Sequence, residues 1–150
     1  MLAGRRSNPP AYLDYETVRK RPRVHTRIFN IFDIKKGVII VVNFPEPIRN
    51  LPEADIPLQG IKAFLAQGQN HQIIFMEFSE DIDLAEHNHE SQWGIVLEGE
   101  IELVINGIKN RFKKGDRYFI PKGVMHSGKI FAGYADITFF NQKDRYGMKK

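Results

Sequence analysis

The sequence predicts an all-β domain, a sandwich or barrel of short strands, and three observations carry that reading. Strand-length apolar runs with turn residues between them follow one another from Gly60 onward. Asn106-Gly107 stands between Ile101–Ile105 and Ile108–Phe112, the strongest short hairpin signal in the chain. No segment offers a long helical stripe, and no internal repeat is evident. The 150 residues, 42% hydrophobic and 27% charged, suit one globular domain with a core of its own.

From the start of the chain, Asn8 with Pro9 and Pro10 predicts a short helix through Lys20, ended by Pro22. Val24–Ile34 and Val38–Phe44 then read as two strands joined at Lys35-Lys36-Gly37. Val38-Ile39-Ile40-Val41-Val42 is apolar on both strand faces and needs cover on both, so a homodimer sharing Val24–Phe44 on the outside of a sheet is expected. Pro45, Pro47, Pro52 and Pro57 exclude a central strand or long helix in the next stretch. Six further strands are expected at Ile61–Leu65, Gln72–Phe78, Trp93–Leu97, Ile101–Ile105, Arg117–Ile120 and Ala135–Phe140. The division is a basic arm over residues 1–23 and one β domain over 24–150.

The charge is unevenly placed. Residues 1–36 hold nine basic and three acidic side chains, whereas residues 37–150 hold 13 basic and 15 acidic ones. The net +4 therefore belongs to the arm. Its Arg19-Lys20-Arg21-Pro22-Arg23 cluster has no interleaved aromatics and no recognition-helix pattern, so nucleic acid is not the expected partner. Cysteine is absent, which excludes thiolate catalysis and disulfide frameworks and suits a reducing compartment. No apolar run approaches a membrane span, and the first ten residues lack a signal-peptide core. The expectation is a cytoplasmic protein without a membrane partner.

The chemistry lies with the histidines, at positions 25, 71, 87, 89 and 126. In an extended strand, residues two apart share a face, so His87 and His89 of His87-Asn88-His89 can grip one ion. Gln92 follows three residues after His89, and Gly99 closes the segment in Leu97-Glu98-Gly99-Glu100. Further on, Gly115, Pro121, Gly123 and His126 punctuate a second segment whose tight turns deliver His126 to a strand start. His71 reads as a turn residue and His25 as part of the arm. Glu98, Glu100 and Glu102 read as a solvated strand face.

These two segments resemble the paired motifs of the cupin superfamily. His87, His89, Gln92 and Gly99 match the first, with one residue fewer than usual before Gln92 and with Asp81 in place of its leading glycine. Gly115, Pro121, Gly123 and His126 match the second in register, with Ile130 at its final asparagine position. The resemblance spans about residues 60–141 and implies a jelly-roll barrel, a double-stranded β-helix, here carrying the arm and an extra β-hairpin. It further implies one metal inside the wider mouth, held by His87, His89 and His126, with Gln92, or alternatively Glu90, as fourth ligand. Such a donor set suits one divalent transition ion, Zn, Fe, Mn, Ni or Cu, over Mg or Ca. Tyr118, Tyr134 and Asp136 are expected to line the mouth. Arg117 and Lys122 would add positive charge there, and Trp93 reads as core or as a substrate platform. Neutral ligands leave the ion's charge uncompensated, which favours a small anionic organic or sugar acid as the bound molecule. The functional expectation is a small-molecule metalloenzyme of isomerase, lyase or dioxygenase type. The alternative is a non-catalytic ligand-binding or sensor cupin.

Overall fold

A computed structural model of the chain describes residues 42–150. The arm, the helix ending at Lys20, the strand Val24–Ile34, His25, the boundary at 23/24 and most of the strand expected over Val38–Phe44 lie outside the described residues. The last three residues of that expected strand, Val42 to Phe44, are not extended into a ladder. Phe44 is instead buried edge-on against Phe64 and Phe75, with ring centres 6.2 and 5.6 Å away. The proline-rich stretch that follows forms one turn of helix, α1 (Glu46–Arg49), started by Pro45 and Pro47.

Eleven strands follow. They are β1 (Ala54–Asp55), β2 (Ile61–Gln67), β3 (Gln72–Phe78), β4 (Ile82–His87), β5 (Gln92–Glu98), β6 (Glu100–Ile105), β7 (Ile108–Lys113), β8 (Arg117–Ile120), β9 (His126–Ile130), β10 (Ala135–Phe140) and β11 (Gly147–Met148). All pair antiparallel, in a five-stranded sheet of order β2-β3-β10-β5-β8 and a four-stranded sheet of order β4-β9-β6-β7. β1 and β11 make a separate two-stranded clasp. This is a jelly-roll architecture, as expected. The six strands read from Gly60 onward are present to within two residues at their ends. The hairpin at Asn106-Gly107 has φ of +50° and +77°, the two positive values its tight turn demands. β1, β4, β9 and β11 are additional. Among the described residues, no helix is long and apolar enough to cross a membrane.

The core lies between the two large sheets. β3 alternates strictly, with Ile74, Met76 and Phe78 buried. They meet Ile82, Val96, Ile101, Leu103, Ile120 and Ile130, each contributing about 1.5–3 kcal/mol by burial. On β6, Glu100 and Glu102 pair with Arg111 and Lys109, whereas Glu98 ends β5 in the other sheet and pairs with Lys114, so the three acids do not share the single strand face expected. The two residues substituted in the motifs serve the frame. Asp81 accepts a hydrogen bond from the Ala132 backbone N–H at 2.8 Å, and Ile130 is core.

Gly99 joins the two sheets at φ +67°, and a Cβ there would lie 2.7 Å from the Gly133 carbonyl oxygen. Both the left-handed backbone and the backbone neighbour exclude a side chain. Gly99→Ala is expected to cost about 2 kcal/mol or more, read as a lower denaturation midpoint with an unchanged slope. A midpoint within error of the parent would contradict this account of the turn.

Candidate metal centre and ligand cavity

Three imidazoles converge between the sheets. β4 and β9 pair His87 directly with His126, and a register shift in β4 between Leu84 and His87 re-aims the end of the strand. His89 lies just beyond β4, so a regular strand does not carry both residues of the His-x-His pair. The second segment positions it instead, because Gly123 donates its N–H to the His89 carbonyl at 2.9 Å. The potential ligand atoms of His87, His89 and His126 all lie within 4.8 Å of one another. His126 is only 3% exposed and sits deeper than a barrel-mouth residue.

The rings are oriented by backbone. Nδ1 of His87 faces the Ala85 carbonyl at 2.8 Å, that of His89 the Glu90 carbonyl at 2.6 Å, and that of His126 the Val124 carbonyl at 2.9 Å. A carbonyl only accepts, so each Nδ1 carries the hydrogen and each neutral ring keeps its lone pair on Nε2. Nε2 of His89 and of His126 then stand 3.1 Å apart, two lone pairs face to face. Two nitrogens each about 2.1 Å from one ion, at an angle between square and tetrahedral, lie roughly 3.0–3.4 Å apart. The donor set therefore fits a transition ion. Burial, reinforced by the Arg145 charge, holds the imidazolium form of His89 down to about 4 and that of His126 below its usual range. Both rings are thus kept as the neutral form that ligates.

The histidines open on a cavity of about 450 Å³, walled by Ile101, Leu103, Ile120 and Phe140 among others. Its polar wall is built by strand parity: Gln92, Tyr118 and Asp136 all face inward from β5, β8 and β10. The Gln92 amide donates to the Tyr118 hydroxyl at 3.3 Å, and that hydroxyl donates to Asp136 Oδ2 at 3.2 Å. Tyr134 and Thr138 donate to the same oxygen at 2.8 and 3.0 Å. Desolvation outweighs these three bonds and pushes the Asp136 carboxyl up to about 7. Tyr118 reaches this cluster because Gly94 lies beneath its ring, where a Cβ would stand 2.3 Å from the phenol carbon Cζ.

The family profile of the cupin domain matches residues 75–133, which hold both histidine segments. Over those residues the chain is similar to a cupin domain. Solved structures agree on the fold. An RmlC-like cupin from Shewanella frigidimarina is 24% identical over 69% of this chain and 90% of its own, at a TM-score of 0.56. KdgF from a Halomonas species is 23% identical over 61% of this chain and 87% of its own, at 0.52. A variant of oxalate decarboxylase from Bacillus subtilis is 17% identical, at 0.54; 64% of this chain matches 28% of that longer one. No curated protein matches the sequence significantly.

The barrel gathers some of the residues expected at its site and sends others away. His87, His89, His126, Gln92, Tyr118 and Asp136 share the cavity. Tyr134 is fully buried behind its wall and touches the site through Asp136. Trp93 and Arg117 lie one residue out of phase with Gln92 and Tyr118, so both face outward, Trp93 40% exposed. Neither core nor platform describes Trp93, and Arg117 is not at the mouth. Glu90 forms an exposed ion pair with Lys122 at 2.7 Å and stands outside the ligating group. His71 is away from the site, stacked on Phe139 at 5.0 Å. Arg145 and Tyr146, and the β1 stretch Asp55–Leu58, complete the cavity wall without any local signal in the sequence.

Proposed function

We propose that this cupin binds one divalent transition ion through His87, His89 and His126, with the Gln92 carbonyl oxygen as fourth donor, and acts on a small anionic organic or sugar acid. The observation that carries this reading is the ring geometry: each Nδ1 faces a backbone carbonyl, Nε2 of His89 and of His126 stand 3.1 Å apart, and the potential ligand atoms of all three rings lie within 4.8 Å of one another. A bound ion of this class polarises a carbonyl or hydroxyl oxygen. The chain supplies the rest. Apolar walls from Ile101, Leu103 and Ile120 exclude water, and Gln92 is held by Tyr118. Asp136 offers a proton-holding carboxyl on the cavity wall, raised toward neutrality by burial. That group favours an isomerase, lyase or dioxygenase type of enzyme over a non-catalytic ligand-binding cupin. Oxalate decarboxylase, whose fold is similar, is named for a carboxylate substrate.

Elemental analysis of freshly purified protein tests the reading. About one equivalent of zinc, iron, manganese, nickel or copper per chain is expected, and iron would favour oxygen chemistry. Less than a tenth of an equivalent, with no uptake from added salts, overturns it. The homodimer expected from Val24–Phe44 belongs to the same proposal, supported by Trp93 and Phe119 exposed on the outer sheet. Light scattering at high concentration that gives a 17.4 kDa monomer refutes that part.

A further inference from the structure

Among the described residues, Arg145 is the one arginine on the cavity wall, and hydrogen bonds on both sides of it hold its loop. It follows β10 in the loop that leads to β11. Gln72, a fully buried residue of β3, grips the next residue by both backbone groups. Its amide nitrogen donates to the Tyr146 carbonyl at 2.9 Å, and its amide oxygen accepts from the Tyr146 N–H at 3.0 Å. The Gln67 amide donates to the Lys143 carbonyl at 3.0 Å, so the loop is tied on both sides of Arg145. The guanidinium carbon lies 5.1 Å from the Tyr146 ring centre and 5.8 Å from that of Phe140. His89 meets the same Phe140 ring edge-on at 5.5 Å, which sets Arg145 and the histidine cluster against one common residue.

What Arg145 lacks is an anion. Its Nε is buried and has no hydrogen-bond partner, and among the described residues no carboxylate forms an ion pair with it. Asp136 shares the cavity, its Oδ2 taken by three hydroxyls and its Oδ1 buried without a partner, but it forms no ion pair with Arg145. A guanidinium is never deprotonated in a protein, and a charge held at a cavity wall without a partner is costly. Its planar fork matches a carboxylate through two parallel hydrogen bonds.

We infer that Arg145 is the specificity-determining residue of this cavity, an anchor for the carboxylate of a small organic acid, and that Gln72 is its positioning residue. The inference rests on the reading that the cavity binds an anion; it does not need the metal. The full-length protein is titrated calorimetrically with malate, 2-oxoglutarate and gluconate, and with their neutral amides, and metal content is measured on every sample. At least one acid should bind tenfold or more tighter than its amide. Arg145→Gln should weaken that acid at least tenfold while leaving the amide and the metal content unchanged. Arg145→Lys keeps the charge without the fork and should fall between the two. It also keeps the inference testable should the glutamine variant misfold. Unchanged acid affinity in both variants, or no binding of any acid by the parent, overturns the anchor. Arg145-dependent binding in protein that holds no metal and takes up none from added salts would overturn the metal centre alone.

Discussion

His126→Ala is expected to lose its metal and keep its fold. The imidazole supplies one of three nitrogen donors, and its neighbours His87 and His89 cannot re-aim, each Nδ1 being fixed on a backbone carbonyl. Weakening a metal site's outer supports already costs about 10–100-fold in affinity, so removing a direct donor should cost about a hundredfold or more. The structural loss is smaller. His126 is buried, but it borders an existing cavity, and its truncation forfeits one hydrogen bond to Val124, about 1 kcal/mol. Metal content after exhaustive dialysis, beside circular dichroism and a melting curve, separates the two effects. Full metal retention in a folded variant would remove His126 from the centre.

Asp136→Asn is expected to stabilise the protein at pH 8 and to lose that advantage near pH 4. Burial raises the native carboxyl from an ordinary 3.8 to about 7, so between these values the native state holds a proton that the unfolded chain has released. Stability through this group is then greatest below about 4, declines as pH rises to about 7, and is level above. The span amounts to roughly a few kcal/mol. His89 and His126 act in the opposite sense, because their depressed values remove stability as pH falls below about 6.5. Both proteins share those histidines, so the difference between their melting curves, taken with chelator present, isolates Asp136. A pH-independent difference would mean that its carboxyl titrates alike in both states.

The fold and the histidine cluster were legible because their signals are local. Asn106-Gly107 fixes a hairpin by two dihedral angles, and turn residues deliver His126 to the start of β9. The parity of the barrel was not legible. Trp93 and Gln92 are neighbours of similar reach, and only the pairing of β5 with β8 and β10 decides that Gln92 points inward and Trp93 outward. Short strands escaped for a related reason. β4 carries Asp83, Glu86 and His87 on a half-exposed ladder, so its alternation is weak, and β9 contains Gly128 where the Leu103 side chain and the Glu102 backbone crowd the position. Arg145 left no trace because its place depends on Gln72, more than seventy residues earlier.

The clasp of β1 with β11 gives the two halves of the site unequal folding histories. Ala54 meets Met148 across 94 positions of sequence, whereas His87 meets His126 across 39. Closing the longer loop costs more entropy, and a short clasp of two ladder pairs, with Lys149 bonded to Glu53 beside them, rewards it. The histidine cluster can therefore form while the wall beside Arg145 is still open, and the same wall should be the first to loosen under native conditions. Amide exchange should be fast at Gly147 and Met148 and slow along β9. A small molecule would then enter and leave through the clasp, with the histidine cluster undisturbed.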